Sequence, residues 1–363
     1  MKKKILVDAR MVYPKPHGIG VYVSNIVKAS KFFNDFDVVF LINENAQGDL
    51  TWKNQNTLIA QSNFLDIKSE LFEIPKILKK NQFNAYHTPS FSSLYFCPVP
   101  YIQTIHDLNH LKFGSFLQKI YYQTVLKRFA KEATVLSTVS FFSQFEISEW
   151  LNLKKEKIEI ISNAFDFEKE KISTSESAVF EKYKVKPNEY FICLSNDKPH
   201  KNVSFLIESF ERYFNSTCPK KYPLIVSLKS GKSKGNNQSG IMYSDSISYD
   251  EGQVLVRHAR ALLFPSLYEG FGRPPVEALL SGVPVIVSNI NVHQEVLSGF
   301  NEPMAMLLDP LNQDQWVNAL IKNATDDRVY VDIAQATKIL DRYSFQSFRN
   351  KIDQLYKRVL KVE

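Results

Sequence analysis

Phe264-Pro265-Ser266-Leu267-Tyr268-Glu269-Gly270-Phe271-Gly272-Arg273-Pro274-Pro275-Val276-Glu277-Ala278 is the stretch on which the fold turns. It follows an apolar run at residues 261–264 and reads as strand, glycine loop and helix. Proline at 274 or 275 suits the first turn of a helix, where its missing N–H is not needed. Two glycines at a helix entrance let a ligand approach the backbone and meet the positive end of the helix dipole. Glu269 falls in the loop and Glu277 about one turn into the helix. Both can then face the carboxyl edge of a sheet, where open α/β sheets bind ligands. By spacing alone, the two glutamates are equally solvated charges at a helix end, where acidic groups are favoured anyway.

Glycine is scarce, 12 of 363 residues, against a usual share of roughly 7%. Its placement therefore carries weight, because it is expected where backbone geometry demands it. A second pair stands in His17-Gly18-Ile19-Gly20, ahead of or opening a helix at residues 19–29. No third glycine follows three residues after Gly20, so the dinucleotide fingerprint is incomplete and a Rossmann oxidoreductase is disfavoured.

Outward from these points the chain alternates short apolar strands with amphipathic helices. Residues 4–7, 38–42, 102–105, 135–138 and 158–161 read as strands; the rhythm restarts at 190–194, 224–226, 261–264, 285–287 and 306–308. Such alternation predicts two mostly parallel sheets covered on both faces. The expected organisation is a first domain over residues 1–165, a polar linker over 166–187 and a second domain over 188–343. A last helix over 344–363 is expected to return to the first domain. Residues 229–240, rich in Gly, Ser, Lys and Asn, read as a loop.

Composition excludes several classes. No run of about 18 apolar residues is present, so no segment is expected to span a membrane. The N-terminal apolar run is short and broken by Asp8, unlike a signal peptide, which predicts a cytoplasmic protein. Three scattered cysteines, Cys97, Cys193 and Cys218, fit neither a disulfide framework nor a thiolate zinc site. The net charge of +7 is uneven: residues 1–165 carry 20 Lys/Arg against 14 Asp/Glu, the remainder 25 against 24. The excess predicts an anionic surface or acceptor facing the first half, while no dense basic run supports a nucleic-acid partner. The helix expected at 116–131 carries Lys119, Lys127, Arg128 and Lys131 beside apolar residues. It reads either as a membrane-surface helix or as a core-packed helix with a charged outer face. His106, Asp107 and His110 have a partial metal spacing, but sit in a loop without the Glu of a zincin motif, and no metal site is expected. Asp35-Phe36-Asp37 reads as a turn before a strand.

Taken together these phrases resemble the GT-B glycosyltransferases of family 4, the glycogen synthase-like retaining enzymes. The resemblance rests on Glu269 and Glu277 within their glycine–proline phrase, and on Ser281-Gly282-Val283-Pro284-Val285-Ile286. It extends to Ser195-Asn196-Asp197-Lys198-Pro199-His200-Lys201-Asn202, Thr104-Ile105-His106-Asp107-Leu108, Gly18-Ile19-Gly20 and Thr138-Val139-Ser140. It implies an α/β fold of two Rossmann-like domains facing each other across a cleft. It also implies metal-independent transfer of a hexose or mannose-like sugar, with retention. The donor is a UDP- or GDP-sugar, a substrate rather than a cofactor, and the acceptor is a glycan or a lipid-linked molecule. By resemblance Glu277 holds the donor ribose, Glu269 lies beside the transferred sugar and Lys201 binds the diphosphate. Gly270, Phe271 and Gly272 shape that loop, Gly18 and Gly20 close on the donor, and His106 faces the reaction centre. Asn196 is implied as a donor-binding residue too, although it stands where relatives often carry Arg; Ala164 stands where Gly is common, and Arg273 where an apolar residue is usual, while the 229–240 loop is short. A catalytically inactive nucleotide-sugar binding module is the alternative reading.

Overall fold

Strands form where apolar residues run unbroken, because a central parallel strand is covered on both faces. Ala261–Phe264 (ALLF) and Val285–Ser288 (VIVS) are buried at every position. The computed structural model describes residues 2–12, 18–46, 52, 55–62, 64, 66–166, 174–228, 240–245 and 247–362. The 229–239 part of the expected loop, His17 and the charged run Glu168–Lys171 lie outside the described residues.

The chain divides into two units, residues 1–165 with 343–363, and residues 166–342. The first unit holds β1 (Lys3–Asp8), β2 (Phe36–Asn43), β3 (Thr57–Ala60), β4 (Ala85–Thr88), β5 (Tyr101–Thr104), β6 (Val135–Thr138) and β7 (Ile158–Ile160). These lie in the order β3-β2-β1-β4-β5-β6-β7, every pair parallel. The second unit holds β8 (Phe191–Cys193), β9 (Leu224–Ser227), β10 (Ile241–Ser244), β11 (Ala261–Phe264), β12 (Val285–Ser288) and β13 (Ala305–Leu308). Their order is β10-β9-β8-β11-β12-β13, again parallel throughout. Each order is the doubly wound one, reversing direction once, at β1/β4 and at β8/β11.

Sequence periodicity missed β3, β4 and β10. In β4 the sequence is Ala-Tyr-His-Thr, fully buried yet half polar. Its polar groups are paired instead of exposed: His87 Nδ1 meets Tyr356 Oη at 2.7 Å and Nε2 meets Thr104 Oγ1 at 2.9 Å. Burial pushes the His87 pKa down to about 3, so the ring is neutral and structural. Tyr356 belongs to the last helix, Phe345–Leu360, which packs in the first unit. Residues 166–187 are not uniformly linker: Glu176–Lys182 is a helix of the second unit, packed on Tyr249–Arg257. Asp35-Phe36-Asp37 is not a turn either. Phe36 and Asp37 already belong to β2 and pair with Lys3 and Lys4 of β1, because the parallel ladder outweighs local turn preference.

Candidate functional site

In the second unit, two loops leave the carboxyl ends of β8 and β11 on either side of the sheet's reversal point. After β8, a single 3-10 turn, Pro199–Lys201, delivers Lys201. Asn202, in the left-handed region at φ 54°, then starts the helix Val203–Phe214. After β11, the loop 265–272 delivers Glu269. The two loops are joined by the Leu267 N–H donating to the His200 carbonyl at 2.8 Å. Lys201 Nζ lies 2.6 Å from Glu269 Oε1. Its ammonium also sits 5.7 Å from the centre of the Phe264 ring. Residues 68 positions apart are thus brought into one ion pair at the edge where such sheets bind ligands.

The helix Arg273–Leu280 begins directly after this loop with proline in its first turn. Gly272 is its N-cap at φ +83°, and a Cβ there would stand 3.1 Å from the His293 ring. Both the backbone and the neighbour therefore demand glycine. Glu277 sits one turn in, its Oε1 accepting from Arg273 NH2 at 3.0 Å. Arg273, out of pattern for the family, thus holds the carboxylate expected to meet the ribose. Gly270 and Phe271 are buried in the loop. Asn196 is exposed, its Oδ1 accepting from the Lys198 N–H at 3.3 Å. That contact stabilises its own turn.

Gly18, Gly20 and His106 belong to the first unit. Gly18 and Gly20 are the first and third residues of the helix Gly18–Ser30. Neither has a positive φ, and a Cβ on Gly18 would meet nothing within 4 Å. The expectation that glycine is here required by the backbone is corrected: among the described residues nothing demands it at Gly18. His106 follows β5, its Nε2–H donating to the Pro89 carbonyl at 2.9 Å, and its ring meets Tyr22 edge-on at 4.9 Å. His110 packs its ring on Phe91 and Tyr122, so its surroundings are aromatic.

With the geometry in hand, comparison with known proteins is decisive. The family described as Glycosyltransferase Family 4 matches residues 16–169, and that described as Glycosyl transferases group 1 matches residues 175–340. The O-antigen chain mannosyltransferase RfbU of Salmonella typhimurium is 30% identical over 259 residues, spanning 69% of this chain and 67% of that protein. The chain belongs to the group 1, family 4 glycosyltransferases. A second relative, the O-antigen chain mannosyltransferase B of Escherichia coli, is 26% identical over 72% of this chain and 70% of its own. Among solved structures, Anabaena HepE in complex with UDP and glucose aligns with a TM-score of 0.74 at 17% identity, over 98% of this chain and 100% of that one. The sucrose-phosphate synthase of Thermosynechococcus elongatus aligns with the same TM-score, 0.74, at 15% identity and full coverage of both chains. The fold of this glycosyltransferase is accordingly α/β of the GT-B class.

Sequence reasoning passed over two parts of the glycosyltransferase. His293 is 1% exposed beside Gly272. Its Nδ1–H donates to the Ser288 carbonyl at 2.7 Å, while Nε2 has no hydrogen-bond partner among the described residues. Burial lowers its pKa, so Nε2 is a bare acceptor. Ser266 Oγ and Ser288 Oγ at the same edge are likewise buried without a partner among the described residues. Such atoms are costly to bury and call for a partner. No glycine or carboxylate pattern marks them in the sequence. The second part is a buried network at the end of β1. Arg10 donates to both Asp8 carboxylate oxygens (2.9 and 2.7 Å) and to Ser69 Oγ at 2.8 Å, and Tyr86 donates to Asp8 at 3.0 Å. Nearby, Glu70 accepts from Ser92 Oγ at 2.6 Å, and burial raises its pKa to about 7. The six residues come from three separate stretches of the sequence, 8–10, 69–70 and 86–92, so only folding reveals the cluster.

Proposed function

We propose that this glycosyltransferase moves a hexose or mannose-like sugar from a UDP- or GDP-sugar to a glycan or lipid-linked acceptor, with retention at the anomeric carbon and without a metal. The observation that carries the reading is the Lys201–Glu269 ion pair at the sheet's reversal point, beside the helix that starts at Gly272. A diphosphate leaving group develops charge as its bond to the anomeric carbon breaks. A fixed ammonium and a helix N-terminus aimed at that charge lower the barrier electrostatically. Glu269 holds Lys201 in place before the donor arrives and lies where the transferred sugar is expected. Glu277, oriented by Arg273, is assigned the ribose hydroxyls. The bare acceptor at His293 Nε2 suits a donor hydroxyl as hydrogen-bond partner.

The names of relatives support the acceptor class. Several matching proteins are O-antigen or serotype-specific mannosyltransferases. Another is an Escherichia coli UDP-Gal:alpha-D-GlcNAc-diphosphoundecaprenol alpha-1,3-galactosyltransferase, 26% identical over 80% of this chain. No helix among the described residues is long and apolar enough to cross a membrane; the location that goes with this reading is the cytoplasm, at the inner membrane face, where a nucleotide-sugar donor can meet a lipid-linked acceptor. The test is turnover of a panel of nucleotide sugars with lipid-linked acceptors, in EDTA, with the product's anomeric configuration read by NMR. An α-linked product from an α-linked donor in EDTA is the expected result. Nucleotide binding without turnover favours the inactive binding module, and loss on chelation restored by Mg²⁺ or Mn²⁺ overturns metal independence.

A further inference from the structure

His293 sits inside the second unit with one ring nitrogen committed and the other open. It is 1% exposed, and its ring leans on Phe264, with centroids 5.5 Å apart. Its Nδ1–H donates to the Ser288 carbonyl at 2.7 Å. Nε2 has no hydrogen-bond partner among the described residues. That nitrogen lies against the glycine loop, since a Cβ on Gly272 would stand 3.1 Å from it. The Lys201 ammonium stands over the same Phe264 ring, 5.7 Å from its centre, and is paired with Glu269 at 2.6 Å. Ion pair and imidazole thus share one aromatic side chain.

A buried imidazole with an open nitrogen is a place to put a proton, and the charge around it decides whether one is held. Burial pushes the His293 pKa below its ordinary value; the Ser288 carbonyl and Glu269 favour the proton, and Lys201 opposes it. β11 presents Phe264 and β12 presents Ser288, both uncharged. The helix Arg273–Leu280 presents Gly272, and Arg273 beside it is engaged by Glu277 at 3.0 Å. Glu295, two positions along the same helix as His293, does not share its face. Lys201 and Glu269 therefore act on the ring with opposite signs, and while they are paired their effects offset each other. An anion that draws Lys201 away tips the balance toward the proton.

We propose that His293 is a positioning residue that takes a proton from solvent at Nε2 when a sugar-free nucleoside diphosphate draws Lys201 from Glu269, and so replaces Lys201 as the cation facing that carboxylate. The proposal rests on the reading of this edge as the donor site. With the transferred sugar in place, a sugar hydroxyl serves Nε2 and the ring stays neutral; once the sugar has left, the proton takes that role. The step adds one H⁺ to the ring and changes no bond of the ligand. Its consequence is a product complex that tightens as pH falls, while the donor complex does not.

The test is an NMR titration of the full chain carrying isotope-labelled histidine, with His293→Asn identifying the resonance. Asparagine keeps an N–H near the Nδ1 position for the Ser288 carbonyl. Without nucleotide, His293 should titrate about one pH unit higher in Lys201→Ala than in wild type, and lower in Glu269→Ala. Saturating UDP or GDP should raise the wild-type midpoint as well, and the matching nucleotide sugar should not. Calorimetry of diphosphate binding in buffers of unequal ionisation heat then reads the proton. Uptake by wild type at about pH 7 should exceed that by His293→Asn, a comparison in which protonation of the ligand's own phosphate cancels. Equal midpoints in wild type, Lys201→Ala and Glu269→Ala overturn the proposal, as does equal uptake by wild type and His293→Asn. If His293→Asn does not fold, the spectra of the other two variants still decide, because one buried histidine must move in opposite directions. If neither diphosphate binds, the donor-site reading fails, whereas the variant midpoints need no ligand and test the coupling by themselves.

Discussion

Removing Lys201 should separate the two things its ammonium does. Nζ sits 2.6 Å from Glu269 Oε1, with side chains 17% and 13% exposed. Lys201→Ala leaves a mostly covered carboxylate without its cation. A charge-assisted hydrogen bond is worth ~1.5–3 kcal/mol, and an orphaned partner costs on the same scale. Stability should fall by about 1–3 kcal/mol, and Lys201→Ala/Glu269→Ala should recover most of it, because the uncompensated charge is gone. Affinity for UDP or GDP should fall roughly ten- to a hundredfold in Lys201→Ala. The double variant should not restore it, since the phosphate still lacks its ammonium. Affinity for the matching free nucleoside should hardly change in either variant. Calorimetric titration of diphosphate and nucleoside into the three proteins, beside thermal melts, measures all of this. Equal losses for nucleoside and diphosphate, or recovery of diphosphate affinity in the double variant, would refute the assignment of Lys201 to the phosphates.

Three further outcomes are expected. Gly272→Ala places a side chain at φ +83° and 3.1 Å from His293, costing about 1–2 kcal/mol for the backbone alone and weakening diphosphate binding. Gly272→Ala/His293→Ala should regain only the contact part, as thermal melts will show. Glu277→Ala should raise KM more than it lowers kcat, because ribose contacts change little on the way to the transition state; Glu269→Ala should lower kcat while the sugar-free diphosphate still binds. The reverse pattern in steady-state kinetics and calorimetry would exchange the two roles. Glu70 has its carboxyl pKa raised by burial from 4.5 to about 7, so the unfolded chain loses this proton first as pH rises. Stability from this group is complete below pH 4.5 and is lost as pH climbs through 7. Glu70→Gln should remove that decline and, in denaturant titrations, gain at most roughly 3 kcal/mol over wild type at pH 8 relative to pH 4.

Local sequence was enough wherever the physical signal is local. Unbroken apolar runs such as Ala261–Phe264 announce buried parallel strands. A proline in the first turn and a glycine before it mark the start of Arg273–Leu280. The phrases around Lys201, Glu269 and Glu277 could therefore be placed after strands and before helices, and the family recognised from them. Tertiary structure decided what depends on partners distant in sequence. β4 reads as polar because His87 is satisfied by Tyr356, 269 residues away. Gly18 and Gly272 look alike in sequence, yet only Gly272 has a positive φ and a ring against it. Lys201 and Glu269 become one ion pair only because β8 and β11 are neighbours in the sheet. His293 carries no motif, and its bare Nε2 exists because Ser288 takes the other nitrogen at the buried edge of the sheet. The helix from Phe116 to Ala130 could be read as facing either water or lipid, since periodicity gives the stripe but not which side the core has already covered. Hydrogen-bond satisfaction and burial are properties of the assembled chain, and in these residues they carry the chemistry.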